Sequence, residues 1–454
     1  VQSLLSVVLS LCIAIPISVY LSRRNNIFTK IVESTIFIPF FFPSVATGIA
    51  IYQLLKGTDL NYTLFSIVVA HIFYNSPIIV KYLSDSLKGV DSDLIESAKM
   101  DGAGKIRIFF SITFFQVKDG LFRGLFLAFV YCFTSFAVIL SVGNVKYSSF
   151  ETAIYTSMFA KFNIKEAFLY ALVQFVILSL INILFFHNPK SEITKKYNNT
   201  PNKKIKPELL LFVVIIYALF EYGIILNSMG LAIINPTTGK VDFSHFFGLF
   251  GGQFNRLFPV VSSIINSLLL SLVVALASIF VVVTILSNRS KFSDYAILLT
   301  FGFSTTFIAL LLYYLYIKFN INLVLLVIVG LSLISIPIGY SFMYDNFVNF
   351  DKNITSLAKL DGANWLETFL YIKFPILKNT IIATFFQIFT IVYGEFTLVF
   401  SMKIQKIAPL SSITNYLISS KRLTIESNSF NTINILIIMG LFFISLQFRD
   451  KNRS

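Results

Sequence analysis

A polar, charge-bearing segment set between long apolar runs occurs twice in this chain. It stands first as Asp91 to Lys118, DSDLIESAKMDGAGKIRIFFSITFFQVK, and again as Asp351 to Lys378, DKNITSLAKLDGANWLETFLYIKFPILK. The copies align without a gap and share Ala98/Ala358, Lys99/Lys359, Asp101/Asp361, Gly102/Gly362, Ala103/Ala363 and Ile112/Ile372. The apolar runs repeat with them. SLLLSLVVAL matches SVVLSLCIAI with Ser267 on Ser6, an offset of 261 (267 − 6), and Pro337 falls on Pro77, an offset of 260 (337 − 77). Duplication at one offset means two copies of one structural unit.

Composition fixes the solvent of that unit. The chain is 56% hydrophobic and 13% charged, with a mean hydropathy of +0.79. That excludes a soluble domain and gives a polytopic membrane protein. The 51 phenylalanines read as lipid-facing filler in place of leucine, not as a stacking surface. A net charge of +14 would suggest nucleic acid in a soluble protein. Here it reflects topology, because cytoplasmic loops collect Lys and Arg, and no nucleic-acid partner is expected. Cys12 and Cys132 lie in apolar runs and read as bystanders, neither disulfide nor metal pair. No metal or other cofactor is expected.

Apolar runs at 3–22, 31–55, 62–83, 120–142 and 167–187 give five spans in a first half. Runs at 208–229, 262–286, 294–316, 322–343, 380–402 and 430–447 give six in a second. The expected organisation is a first half at 1–187, a basic cytoplasmic linker at 188–207 and a second half at 208–454. The run at 208–229 has no counterpart in the first half, so eleven spans are present and a twelfth is expected ahead of Val1. Six spans per half makes the halves parallel, related by an axis along the membrane normal. The fold class expected is an all-α polytopic membrane protein of two tandem parallel repeats.

Each polar loop reads as short helix, turn, short helix. Ala98 to Met100 and Leu357 to Leu360 favour helix. Asp-Gly breaks it, with Gly taking angles that other residues avoid and Asp capping the helix that follows. Ile106, Phe109, Phe110 and Thr113 follow helical spacing and give the second helix a sticky face. With both loops in the cytoplasm, the basic residues of Lys81 to Arg123, of the linker and of the tail FRDKNR share that side, and the fewer others, such as Lys56, Lys146 and Lys240, face out. This bias has the direction of the positive-inside rule.

The loops resemble the EAA motif of ABC importer permeases: Glu-Ala-Ala, three residues, Gly, nine residues, Ile-x-Leu-Pro. The first copy supplies Glu96, Ser97, Ala98, Gly102, Ile112 and Phe115; the second supplies Ser356, Leu357, Ala358, Gly362, Ile372 and Pro375. Each departs from the motif, Glu being kept only as Glu96 and Pro only as Pro375. The resemblance implies the type I, MetI-like fold and a coupling role for Glu96, Ala98, Asp101, Gly102, Ala103, Ala358, Asp361, Gly362, Ala363 and Pro375. It implies two copies of an ABC ATPase subunit as partners, a periplasmic or surface solute-binding protein, and a multi-pass position in the bacterial inner membrane.

No enzyme constellation is present. GAGKIR at 102–107 is not a phosphate loop, since Lys99 stands five residues before Gly104 and Ile106 stands where Ser or Thr must hold magnesium. Energy must come from a partner. Intramembrane polar residues are the pathway candidates: Glu395 beside Tyr393, and His71 with Asn75 one turn on. Glu395 either steadies a cation in transit, or snorkels to water or bonds a neighbouring helix, and the sequence leaves these open. His71 and Asn75 either line a pathway or knit two helices, the second being favoured. Glu221 reads as interfacial, and Pro77 and Pro337 as bends. Outer segments with Phe150, Ile154, Tyr155 and Met158, and with Leu410, Ile413, Tyr416 and Leu417, read as amphipathic helices that either meet a delivering protein or pack on their own bundle.

Two halves fused in one chain resemble the iron(III) and thiamine importers. VVAHIFYNSP, FVYCFTSFAVILSVGNVKYSSFETAIYTSM, ALVQF and, more loosely, GEFTLVFSMKIQKIAPLSSITNYLISS resemble the thiamine permeases. The resemblance implies passage of thiamine or its phosphates by alternating access, with an iron(III) permease as the alternative. The rival from another class is a secondary transporter driven by an ion gradient through Glu395.

Overall fold

The computed structural model describes residues 1–24, 26–143, 146–186, 207–234, 239–300, 302–348, 350–402, 410–421 and 423–450. Residues 188–206 of the expected linker and 451–454 of the basic tail lie outside the described residues. The first half comprises α1 (Gln2–Arg23), α2 (Ile27–Thr35), α3 (Ile38–Phe41), α4 (Ser44–Leu54), α5 (Leu64–Lys88), α6 (Ser92–Met100), α7 (Lys105–Ile108), α8 (Phe114–Phe133), α9 (Ala137–Val142), α10 (Phe150–Phe159) and α11 (Ile164–Phe186). The second comprises α12 (Pro207–Ile233), α13 (Ser244–Leu249), α14 (Gly252–Leu257), α15 (Val260–Ser287), α16 (Lys291–Thr300), α17 (Thr305–Phe319), α18 (Leu323–Val348), α19 (Lys352–Leu360), α20 (Trp365–Thr368), α21 (Phe374–Tyr393), α22 (Thr397–Ser401), α23 (Ser411–Ser420) and α24 (Thr424–Asp450). From α15 onward the elements repeat the order of α1 to α11, with α16 alone standing where α2 and α3 do.

Backbone amides in lipid must be satisfied internally, which is why the described chain is almost wholly helical. Helix–helix contact there depends on close packing, since lipid tails are as apolar as leucine. Both halves meet that need with a stripe of small residues. On α1, Ser3, Ser6, Ser10, Ala14 and Ser18 are buried, and α1 lies along α5, which lies along α8. On α15, Ser263, Ser267, Ser271, Ala275 and Ser278 are buried, and α15 packs on α18 and α21. Leucines and phenylalanines on the opposite face of α15, such as Leu269, Leu276 and Phe280, point outward.

The phenylalanines are not mere lipid-facing filler. Phe41, Phe73, Phe126, Phe136, Phe396, Phe430 and Phe442 are fully buried. Many meet edge-on or offset, as Phe40 does with Tyr131 at 5.3 Å, and Phe396 stacks on Phe400 at 4.6 Å. Such pairs add about 0.5–1.5 kcal/mol beyond their contact area, so rigid rings serve best where two halves must fit.

Among the described residues, eight helices are long and apolar enough to cross a membrane, or nine if α2–α3 and α4, bent by 98°, form one broken span. The eleven apolar runs exceed this count because three that break are not counted; the run at 380–402 also breaks, between α21 and α22, but counts as a whole. The run at 31–55 breaks at Phe42–Pro43, that at 120–142 between α8 and α9, and that at 294–316 between α16 and α17. Pro77 and Pro337, by contrast, each sit inside one continuous helix, α5 and α18.

Helix α12 opens the second half in sequence but packs on α1, α4 and α24. Its Val214 and Tyr217 share a cluster with Ala14, Ile17 and Tyr20 of α1. Glu221 is accordingly not interfacial. It is 1% exposed near the middle of α12, because the helix runs on to Ile233, and Tyr217 Oη donates to it. Ser76 of α5 bonds the same tyrosine hydroxyl at 2.8 Å.

Candidate functional site: paired loops and a cavity between the halves

Each polar loop is built as a helix with a hard stop. Asp91 Oδ1 caps α6 by accepting from the Asp93 amide at 2.9 Å. At the other end, Ala103 N–H donates to Ala98 C=O (2.9 Å) and Gly102 N–H to Lys99 C=O (3.0 Å). This is a Schellman closure, which needs a left-handed residue after the cap; Gly102 supplies it with φ +78°. The second loop repeats the device, with Ala363 N–H on Ala358 C=O (3.0 Å) and Gly362 at φ +87°. Apart from Ile112/Ile372, the shared residues named above lie in this turn.

Asp101 ends α6 instead of capping the helix that follows, so the expected cap is corrected. That helix starts after Gly104 without a side-chain cap in the first copy. In the second, Asn364 Oδ1 accepts from Glu367 N–H (2.9 Å) and Glu367 Oε2 from Asn364 N–H (2.8 Å). Each copy then passes through a π-helical turn, Phe109–Thr113 and Phe369–Lys373, before α8 and α21. Insertions of this kind shift the face a helix presents and recur at functional sites; nothing in the residue pattern signals them.

Both loops leave apolar side chains uncovered. Ile106, Phe109, Phe110 and Phe115 are exposed in the first, and Leu360, Leu366, Leu370 and Tyr371 in the second. Glu96, Asp101, Gly102, Asp361, Gly362 and Pro375 are exposed, Ala98, Ala103 and Ala363 half-buried, and Ala358 buried. Apolar patches rimmed by charge mark interaction surfaces.

A cavity of about 150 Å3 lies between the halves. His71, Asn75 and Ser44 line it from the first half, and Thr305, Gly394 and Glu395 from the second. His71 Nδ1 is 3.3 Å from Ser6 Oγ on α1, and Asn75 Nδ2 donates to Cys132 Sγ on α8 at 3.2 Å. The two residues therefore knit helices as well as line the cavity, and Cys132 is no bystander. His71 Nε2 and Asn75 Oδ1 have no protein partner among the described residues. Glu395 sits where α21 breaks before α22, and its carboxylate accepts the amides of Thr397 (2.8 Å) and Leu398 (3.2 Å). Among the described residues its carboxylate meets no neighbouring helix and instead caps the start of α22. Tyr393 is not part of the lining: it is 2% exposed, and its hydroxyl donates to Asn434 at 2.7 Å.

Aromatic rings complete the wall, among them Phe40, Tyr74, Tyr131 and Phe136, and among the described residues the lining contains neither lysine nor arginine. Sequence reading misses Ser44 and Thr305, which occupy one register position of the repeat (305 − 44 = 261). The available signals are Pro43 and Gly302, which stand just ahead of them at the breaks in the two spans.

The halves are also pinned outside the cavity. Glu151 of α10 is fully buried and accepts from Gln174 Nε2 (2.8 Å), from Thr306 N–H of α17 (3.2 Å) and from the Thr306 hydroxyl. Ile154 and Met158 of α10 are buried too, so this outer helix packs on the bundle. Leu410 and Ile413 of its counterpart are likewise packed on apolar cores.

Two repeated helical halves that enclose a cavity and carry matching loops define a polytopic membrane protein of duplicated architecture. Residues 14–187, less than half of the chain, match the family model of the binding-protein-dependent transport system inner membrane component. Relatives agree. The probable transport system permease protein NifC of Clostridium pasteurianum is 27% identical over 201 residues, 40% of this chain and 70% of that protein. The thiamine transport system permease protein ThiP of Haemophilus influenzae is 28% identical over 174 residues, 37% of this chain and 32% of its own length. The molybdate/tungstate transport system permease protein WtpB of Methanocaldococcus jannaschii is 26% identical over 142 residues, 30% and 57% of the two chains. The match thus spans about a third of the thiamine permease.

Proposed function

We propose that this chain is the permease subunit of an ATP-driven importer, and that its two Asp-Gly loops dock on two ATPase subunits in the cytoplasm. The single observation that carries this reading is the pair of loops: two solvent-facing helices with the same Schellman stop, the same π turn and uncovered apolar faces, at the same end of both repeats. A partner of two-fold symmetry would meet such a surface twice. A soluble protein delivers the solute from outside, closure of the ATPases on ATP pushes α6 and α19, and the halves rock about the cavity by alternating access. A secondary transporter would leave both exposed loops without a use.

The solute proposed is thiamine or its phosphates. A carboxylate with aromatic faces around it and neither lysine nor arginine in the described wall suits an organic cation. The name of the molybdate/tungstate permease WtpB keeps an oxyanion as the second reading, and iron(III) remains a third. An oxyanion would find Glu395 in the wall and no lysine or arginine there to offset it. The test is substrate-stimulated ATPase activity of the full-length chain reconstituted with its ATPase and binding protein. Stimulation by thiamine alone is the expected result. Stimulation by molybdate or ferric ion alone would move the substrate and keep the mechanism. A chain that binds no ATPase would refute the loop assignment.

A further inference from the structure

In each half, one of the broken spans has two ends that meet different things. In the first half it is α2–α3–α4. At its loop end, Lys88 Nζ donates to the Glu33 carboxylate of α2, and Lys88 is the last residue of α5, the helix that enters the first Asp-Gly loop. At its other end, Ser44 opens α4 and lines the cavity, while Pro43 packs on Gly394 of the second half so closely that an added Cβ would stand 3.4 Å from Pro43 Cα.

In the second half the broken span is α16–α17. At its loop end, Tyr340 Oη of α18 donates to Asp294 of α16, and α18 is the helix that enters the second loop. Arg289 clasps the same carboxylate, with Nε 3.1 and 2.9 Å from its two oxygens, and lies over the Tyr344 ring of α18 at 4.7 Å. At its other end, Ser304 caps α17, Thr305 lines the cavity and Thr306 meets Glu151 of the first half.

Glu33 and Asp294 hold one register position of the repeat (294 − 33 = 261). Their partners do not: Val348 stands where Lys88 does (348 − 88 = 260), and Val80 where Tyr340 does (340 − 80 = 260). Different side chains thus make the same tie in both halves. The part-exposed Lys88–Glu33 pair adds little to stability, whereas Asp294 is buried; a tie kept at one register position in two such different settings points to a use for its position.

We propose that Glu33 and Asp294 are positioning residues, each fastening a broken span to the helix that enters a coupling loop, so that movement of the loop reaches Ser44 and Thr305 at the cavity wall. Such a strut is needed because the spans are interrupted; a bend of 98° separates the Glu33 and Ser44 ends of the first. The inference rests on the reading of the loops as ATPase docking sites.

The test uses the full chain assembled with its ATPase subunits in vesicles, with Cys12→Ser and Cys132→Ser as background. Ser44→Cys or Thr305→Cys is then labelled from outside with a membrane-impermeant maleimide, with and without ATP trapped by vanadate. ATP is expected to change labelling about tenfold at each position. Glu33→Gln removes that change at Ser44→Cys while ATP hydrolysis persists, and the swap of Glu33→Lys with Lys88→Glu restores it. Asp294→Asn does the same at Thr305→Cys. Retention of the full ATP response in Glu33→Gln and Asp294→Asn would overturn the proposal, as would failure of the swap in a complex that still hydrolyses ATP. If the parent complex shows no ATP response at either cysteine, the coupling reading itself falls and takes the struts with it.

Discussion

Substitution of Gly102 tests the loops most directly, because the structure separates backbone strain from crowding there. Gly102 has φ +78°, and an added Cβ would find no heavy atom within 4 Å. Alanine therefore meets only the left-handed penalty, about 1–2 kcal/mol. Asparagine tolerates that region better and costs less. Proline cannot reach a positive φ, and it removes the N–H that bonds Lys99 C=O, so it abolishes the turn. A penalty of about 1.4 kcal/mol shifts the population of the docking-competent loop tenfold. The expected order of solute moved per ATP hydrolysed is glycine, asparagine, alanine, proline, with unchanged membrane insertion because the loop is exposed. The assay is paired uptake and phosphate release in proteoliposomes. Normal uptake by Gly102→Pro and by Gly362→Pro would refute the reasoning, and so would an alanine variant that fails as completely as proline.

Three further outcomes follow from the same geometry. Glu395→Gln keeps an acceptor for the Thr397 and Leu398 amides but removes the wall's charge; it should cut thiamine uptake at least about tenfold without loss of protein, and equal uptake would rule out a role in cation passage. Glu151→Leu strands the Thr306 and Gln174 donors and should destabilise by at least about 3 kcal/mol, with Glu151→Gln milder, as thermal unfolding in detergent would show; equal melting of the two would exclude the clamp. Gly48→Ala places a Cβ 2.5 Å from Ser141 Cβ, and the overpacking of α4 on α9 should cost about 1–3 kcal/mol; relief by Ser141→Gly on the same melting curves checks that this contact is the cause.

Much of the architecture is legible in the residue pattern because it rests on local chemistry. The Asp-Gly stops are visible because only glycine readily accepts the angles the closure needs, and they come twice. The cavity is legible in part: His71, Asn75 and Glu395 stand out as polar residues in apolar runs, whereas Tyr393 carries the same signal and faces Asn434. Glu221 reads as interfacial from hydropathy because an apolar run marks a helix end only to within a few residues.

The sequence alone determined a membrane-embedded, duplicated helical chain, since lipid admits only helices for such runs and one offset relates the copies. The tertiary structure decided which residues meet. That α12 lies on the first half, that Glu151 reaches Thr306, and that Ser44 and Thr305 face one cavity depend on contacts between residues far apart in the chain. The helices involved are apolar on nearly every side, so their hydropathy hides the packed face. Which face packs is settled by small residues and hydrogen bonds, and these become visible only when the helices are brought together.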